Sequence, residues 1–276
     1  MDIGILLSFL LRNNANFSDL KNAEKDSLLD YSAQNFDWDI VKLFIENDRR
    51  DDYFDQLDDQ QRMCCLYHFI SVGNLGITKF FIEQLIRKER ISSVNVPSNH
   101  GETFLHLAAK NDKLDIVQYL VNEKGADITV INTDKKTPKD LATEKNCTSV
   151  VEFLEQALQK RLFYAAVQGD LDMVKTLINQ GVNIDVKDND NWTSLHFATY
   201  TGHLELVKYL LEEGANVLAK NNHDTVLHLA VSSNKEEIIK LVLDKIKETQ
   251  RDVSQYIDAK DTEGDTPLMW AAENGE

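Results

Sequence analysis

The chain has little of what punctuates small β domains and secreted folds. Its 276 residues include only 11 Gly, 3 Pro and 3 Cys. So few turn-formers argue against a sandwich or barrel, which needs a tight turn at almost every strand end. Three cysteines cannot all pair and Cys64 adjoins Cys65, so the thiols read as free and the compartment as reducing. No run of Lys and Arg interrupts a formal charge of -16, which argues against duplex nucleic acid as a main partner. No apolar stretch reaches the ~20 residues that span a bilayer. The apolar start has Asp2 where an export signal wants Lys or Arg, and reads as a packing helix.

Catalytic chemistry is missing too. There is no Gly-x-x-x-x-Gly-Lys-Ser/Thr loop, no Gly-x-Ser-x-Gly elbow and no His-Glu-x-x-His helix. Cys64, Cys65 and His68 form one compact group, but a zinc site wants four ligands and no second cluster exists. Asp51, Asp52, Asp55, Asp58 and Asp59 lack the Gly and closing Glu of a calcium loop. The chain is therefore expected to have no catalytic residue, no metal and no cofactor.

What is present is self-similarity. Thr103-Phe-Leu-His-Leu-Ala-Ala109 precedes Leu114-Asp-Ile-Val-Gln-Tyr-Leu120. Thr193-Ser-Leu-His-Phe-Ala-Thr199 precedes Leu204-Glu-Leu-Val-Lys-Tyr-Leu-Leu211, and Thr225-Val-Leu-His-Leu-Ala-Val231 precedes Glu237-Ile-Ile-Lys-Leu-Val-Leu243. Thr266-Pro-Leu-Met-Trp-Ala-Ala272 begins another copy. These segments resemble the ankyrin-repeat family, with its Thr-Pro-Leu-His-x-Ala signature and period of roughly 33 residues. Weaker copies lie at Ser27–Ala33 with Trp38–Ile45, at Cys64–Ile82, at Thr137–Leu154 and at Leu162–Ile178, and Phe9–Phe17 looks like the end of a second helix.

The resemblance implies an all-α solenoid of helix-turn-helix pairs with β-hairpin fingers, in two stacked sub-arrays: about seven full or degenerate repeats and a broken eighth. Thr is expected to cap each first helix. His106, His196 and His228 are expected to bond to the adjacent finger, a structural role. Lys160 follows Thr137 by only 23 residues, and Val150–Ala166 contains no Gly or Pro, so one helix should run into the next without a finger. Long steps at Gln84–Arg90 and Lys245–Gln255 should lengthen second helices on the convex face. The expected regions are 1–98 (degenerate repeats), 99–159 (repeats ending without a finger) and 160–276 (a second sub-array cut in its last repeat).

The family resemblance also implies a scaffold that grips a partner protein through the concave face of fingers and first helices, with specificity at positions the repeat leaves free. These are Asn189, Asp190, Trp192, Asn222, Asp224, Glu263 and Asp265 on fingers, and Tyr200, Thr201, Ser232 and Ser233 at helix exits. The upstream equivalents are Glu102, Lys110 and Asn111. Acidic tips around one Trp predict a basic partner segment and no nucleic acid or membrane insertion, with a monomer favoured. Trp192 is either an exposed anchor or packs on the next finger. Turn positions normally held by Gly fall to Lys135, Asn191 and His223. The expected location is cytosolic. The Asn-rich, divergent repeats also look like ankyrin-repeat effectors that intracellular bacteria such as Legionella secrete into host cells. An alternative is the targeting arm of an enzyme whose catalytic domain lies beyond residue 276.

Overall fold

The computed structural model describes residues 54–274 apart from 56, 251 and 252. The N-terminal apolar helix, the copies around Phe9–Phe17, Ser27–Ala33 and Trp38–Ile45, and Asp51 and Asp52 lie outside the described residues. The chain divides into two compact units, Met1–Phe153 and Leu154–Glu276.

In the first unit, α1 (Asp59–Val72) pairs with α2 (Leu75–Arg87), and α3 (Phe104–Lys110) with α4 (Leu114–Gln118), which runs on as a π-helical turn at Tyr119–Glu123; α5 (Pro138–Glu144) follows. α1, α2 and α5 start where a side chain meets open backbone donors, whereas α4 begins after Lys113 without a side-chain cap. The Asp58 carboxylate accepts from Gln61 N–H at 2.7 Å while the Gln61 side chain accepts from Asp58 N–H at 2.9 Å, closing a capping box on α1. Gly73, with φ +87°, ends α1 and donates back to Phe69 and Ile70 carbonyls. The core of the first helix pair is aromatic: Phe54 meets Phe81 at 5.5 Å and Phe80 at 6.1 Å between ring centroids. Arg62 is buried against it, its guanidinium 4.9 Å above the Phe54 ring, and donates to the Phe54 carbonyl and to Asp59. Those bonds offset the cost of burying a charge. Cys64, Cys65 and Cys147 form no disulfide.

α6 (Thr148–Gln168) is one uninterrupted helix of 21 residues, as the absence of Gly and Pro dictates. In the second unit it is followed by α7 (Leu171–Asn179), the pair α8 (Ser194–Tyr200) and α9 (Leu204–Glu212), the pair α10 (Val226–Ser232) and α11 (Glu236–Thr249), then α12 (Ser254–Ile257) and α13 (Pro267–Asn274). α11 has 14 residues against nine in α9; the extra turns are the charged stretch around Lys245.

The recurring Thr-x-x-His is a local device. Thr103, Thr193 and Thr225 are extended N-caps, and Nδ1 of the His three residues on accepts the Thr N–H at 3.1, 3.1 and 3.3 Å. With Nδ1 an acceptor, Nε2 carries the proton and must donate. His106 donates to the Lys136 carbonyl and His228 to the Asp265 carbonyl, both at 3.1 Å and both in the following finger. His196 departs from the expectation: its buried Nε2 makes no well-formed hydrogen bond, the backbone of Ala219 being only a weak acceptor for it, and none reaches the following finger's Asp224 carbonyl.

Finger length explains the exception. The fingers are not β-hairpins with paired strands; among the described residues the sole bridge pairs Lys220 with Thr225. Those at Asn132, Asp188, Asn221 and Asp261 are turns around an Asn or Asp whose side-chain oxygen accepts two later N–H groups, as Asp188 does from Asp190 at 2.9 Å and Trp192 at 2.8 Å. Four fingers close with a bond four residues long, Ser98 N–H to Glu102 O, Asn132 to Lys136, Asp188 to Trp192 and Asp261 to Asp265. Their fourth residues, Gly101, Lys135, Asn191 and Gly264, take left-handed φ of 70°, 60°, 61° and 96°. The finger after α9 closes one residue sooner, Asn221 to Asp224, and His223 is not left-handed, contrary to its expected role as a Gly substitute. The missing residue moves the Asp224 carbonyl away from His196. Thr199 Oγ1 and Asn221 Nδ2 are also buried without partners on the same helix and finger.

An unpaired buried donor costs about 1–3 kcal/mol. Inserting Gly between His223 and Asp224 should therefore restore the five-residue turn and stabilise the chain by about 1–2 kcal/mol. Urea denaturation would measure this; an unchanged or lower midpoint counts against the account.

Candidate functional site

The free positions of the second unit lie on the 188–192, 221–224 and 261–265 fingers and at the exits of α8 and α10. Trp192 leaves the Asp188 turn half-buried and packs onto the helix of its own repeat: 5.0 Å from Phe197, 5.6 Å edge-on to Tyr200 and 6.0 Å from His196 between ring centroids. It thus anchors to α8, with Tyr200 still 55% exposed beside it. Phe163 of α6 continues the cluster, 5.6 Å from Phe197.

The finger tips are laced to one another. The Asn222 N–H donates to the Asp190 carbonyl at 3.1 Å, and Asn191 Nδ2 to Asn222 Oδ1 at 2.6 Å. Lys187 Nζ reaches the Lys220 carbonyl at 3.2 Å, and the Asn216 N–H meets Asp185 Oδ1 at 2.9 Å. These bonds leave the side chains of Asn189, Asp190 and Asn222 exposed. Asp224 is half-buried, and burial raises its carboxyl above the usual range. Glu263 is exposed, whereas Asp265 is half-buried and its backbone serves the turn and His228. Asp261 is structural: Oδ1 accepts from Glu263 and Asp265, and Oδ2 accepts Trp270 Nε1–H at 2.9 Å. Burial acts to raise its carboxyl, but the hydrogen bonds from Asp265, Trp270, Glu263 and Gly264 together hold it lower.

At the helix exits, Thr201 Oγ1 donates to the Phe197 carbonyl and Ser233 Oγ to the Ala230 carbonyl, both at 2.7 Å, while Ser232 is exposed. In the first unit, Lys110 and Glu102 pair at 2.6 Å, and Asn111 Nδ2 donates to the Leu107 carbonyl at 2.8 Å. Mutual neutralisation leaves that trio less charge to offer than its sequence suggests. The buried histidines carry no free chemistry. Burial lowers the pKa of His106, and drives that of His196 down to about 4.

The family model for ankyrin repeats (3 copies) matches residues 29–132, 81–160, 162–252 and 222–276. The chain belongs to the ankyrin-repeat family. Ankyrin repeats are protein–protein interaction modules, typically without catalytic activity. Among curated relatives, the zebrafish (Danio rerio) protein named "Putative palmitoyltransferase ZDHHC13" is 37% identical over 191 residues, 64% of this chain and 28% of the relative. The "Putative ankyrin repeat protein" of Rickettsia bellii is 27% identical over 89 residues, 32% of this chain and 52% of the relative. The chain thus spans less than two thirds of either. The human ASB11 ankyrin repeat domain is a solved structure at 23% identity and a TM-score of 0.39, covering 75% of this chain and 90% of that one. Among the described residues, no helix is long and apolar enough to cross a membrane, and no group of three or more His, Cys, Asp or Glu is placed to hold a metal ion.

What residue-by-residue reading missed in this ankyrin array is the cleft beside Phe163. Phe163 stands where the repeat has His, and Lys160 where it has Thr, and both line an opening with Lys187, Asp188 and Asn189. The 23-residue step was its signal.

Proposed function

We propose that this ankyrin array binds a basic segment of a partner protein on the concave face formed by its fingers and first helices. The observation that carries the reading is the Trp192–Tyr200 pair, which offers aromatic surface on the same finger as the exposed acid Asp190, with the exposed Glu263 two fingers further along. Trp and Tyr supply large contact area at small entropic cost, and an acidic rim steers a cationic segment into register. Asn189, Thr201, Asn222, Asp224, Ser232, Ser233 and Asp265 would frame the contact, with Glu102, Lys110 and Asn111 as a further patch. The working partition is 1–98, 99–159 and 160–276.

The test is a crosslinking pull-down with the full chain, followed by affinity measurement on the captured partner. Trp192→Ala should weaken binding by at least about tenfold, and raising salt should weaken it further. Affinity indifferent to both changes would sink the reading.

A cytosolic location, and secretion into a host cell as a bacterial effector, rest on the compositional resemblance together with the Rickettsia relative. The second reading, a targeting arm of an enzyme with its catalytic domain beyond residue 276, draws on the printed name of the zebrafish relative. The complete reading frame separates the two.

A further inference from the structure

Among the described residues, two of the three pairs of adjacent fingers join by the same pair of bonds, the third (221–224 with 261–265) meeting instead through His223 Nδ1 and Thr262 Oγ1 at 3.3 Å. In those two, one finger offers a backbone carbonyl and an Asx side-chain oxygen, and the next answers with two N–H groups. In the first unit, His100 O accepts from Thr133 N–H at 3.1 Å and Asn95 Oδ1 from Asp127 N–H at 2.8 Å. In the second, Asp190 O accepts from Asn222 N–H at 3.1 Å and Asp185 Oδ1 from Asn216 N–H at 2.9 Å. Within the second unit, the finger 183–192 is the first in line. By register, its own answering donors are the N–H groups of Asn183 and Asn189, and neither donates to anything. The finger that would have met them is the one α6 replaces.

A cleft of about 270 Å³ lies along that edge, with Gln159, Lys160 and Phe163 of α6 on one side and Lys187, Asp188 and Asn189 on the other. It is large enough for side chains rather than a single water. Its charge is opposite to that of the finger tips. Lys160 is exposed and makes no ion pair, and Lys187 is exposed and tied only to a carbonyl. The one carboxylate, Asp188, already accepts two N–H bonds within its own turn. Two cations and Asn189, whose N–H is unanswered, line the cleft with Phe163, and the second unanswered N–H, that of Asn183, lies further back on the same finger.

We propose that this cleft is a second docking site, which takes an acidic, extended turn of a partner protein laid against the open edge of the 183–192 finger in place of the omitted one. Edge addition of this kind draws affinity from main-chain bonds and selectivity from side-chain pockets. The occupant must present what Asp185 and Asp190 present to the next finger: a carbonyl for Asn189 N–H, an Asx oxygen for Asn183 N–H, and negative charge toward Lys160. It is independent of the basic segment proposed for the tips, and asks for the opposite charge.

The probe is a cyclised peptide copying residues 183–192, whose acids outnumber its single Lys, titrated into the isotope-labelled full chain. Saturable shifts are expected at the Asn183 and Asn189 amides and around Phe163. Lys160→Glu, a change at an exposed position, should weaken binding at least about tenfold while leaving the rest of the spectrum in place. A peptide with the three Asp changed to Lys should not bind. The proposal is overturned by no saturable shift up to about 1 mM peptide, by shifts centred on Ser232 and Ser233 instead, by affinity unchanged in Lys160→Glu, or by equal binding of the charge-reversed peptide.

Discussion

Gly169→Ala is expected to destabilise the chain by about 2–4 kcal/mol, and Gly202→Ala by about half as much, although the two glycines occupy the same repeat position. Both are left-handed, with φ of 71° and 76°, so either alanine carries backbone strain of about 1–2 kcal/mol. They differ in what a methyl group would strike. At Gly202 it meets the Lys235 side chain, nearest at Cε 2.8 Å away; Lys235 Nζ donates to the Gly202 carbonyl at 2.6 Å, but the flexible methylene stem can shift while that bond is kept. At Gly169 it falls 2.5 Å from Nδ1 of the His203 ring. That ring is rigid and held by a 2.9 Å bond from Nε2 to the Val167 carbonyl, so relief means breaking the bond that ties one repeat to the next. Denaturant midpoints for the two variants measure the difference, and equal losses would show that strain alone decides.

Acid should weaken the chain through His196. Its folded pKa, about 4, lies below the ordinary histidine value of 6.5 because burial penalises the imidazolium. Above pH 6.5 the ring is neutral in both states and its contribution to stability is fully present. Between pH 6.5 and 4 the unfolded chain binds a proton that the folded chain refuses, so stability falls by up to about 3 kcal/mol across that window. His106 is shifted the same way, also by burial, and adds to the loss. The measurement is stability against pH for the natural chain and for His196→Gln. Comparing slopes cancels any pH-independent cost of the substitution. The variant should lose less between pH 6.5 and 4, and parallel curves would remove His196 from the account.

Both effects trace to how the repeats meet, and this marks the boundary of what could be read in one dimension. The Thr-x-x-His box could be read because both partners of the Nδ1 bond lie three residues apart on one turn of helix. The unbroken helix through Val150–Ala166 could be read because nothing in that stretch can stop a helix. The open-turn role of Lys135 and Asn191 followed from counting back from Thr, and the same count misplaced His223 because its finger is one residue shorter.

Trp192 shows the other side. Its position in the repeat predicted either an exposed ring or a contact with the next finger; the ring is half-buried and its aromatic neighbours are on its own helix. Phe197 and Tyr200 on its own helix supply a closer aromatic surface, and centroid separations of 5.0 and 5.6 Å are within the range where such rings attract. Lys110 and Glu102 likewise read as two free charges until folding brings them to 2.6 Å.

By itself, then, the sequence determined the repeat, its helix caps and the place where a finger is omitted, since each depends on residues within a turn or two of one another. Only the tertiary structure decided which buried donor goes unanswered, which carboxylates are consumed by their own turns and which finger edge stays open. Those outcomes depend on acceptors about thirty residues away in the chain, brought within hydrogen-bonding reach by stacking one repeat upon another.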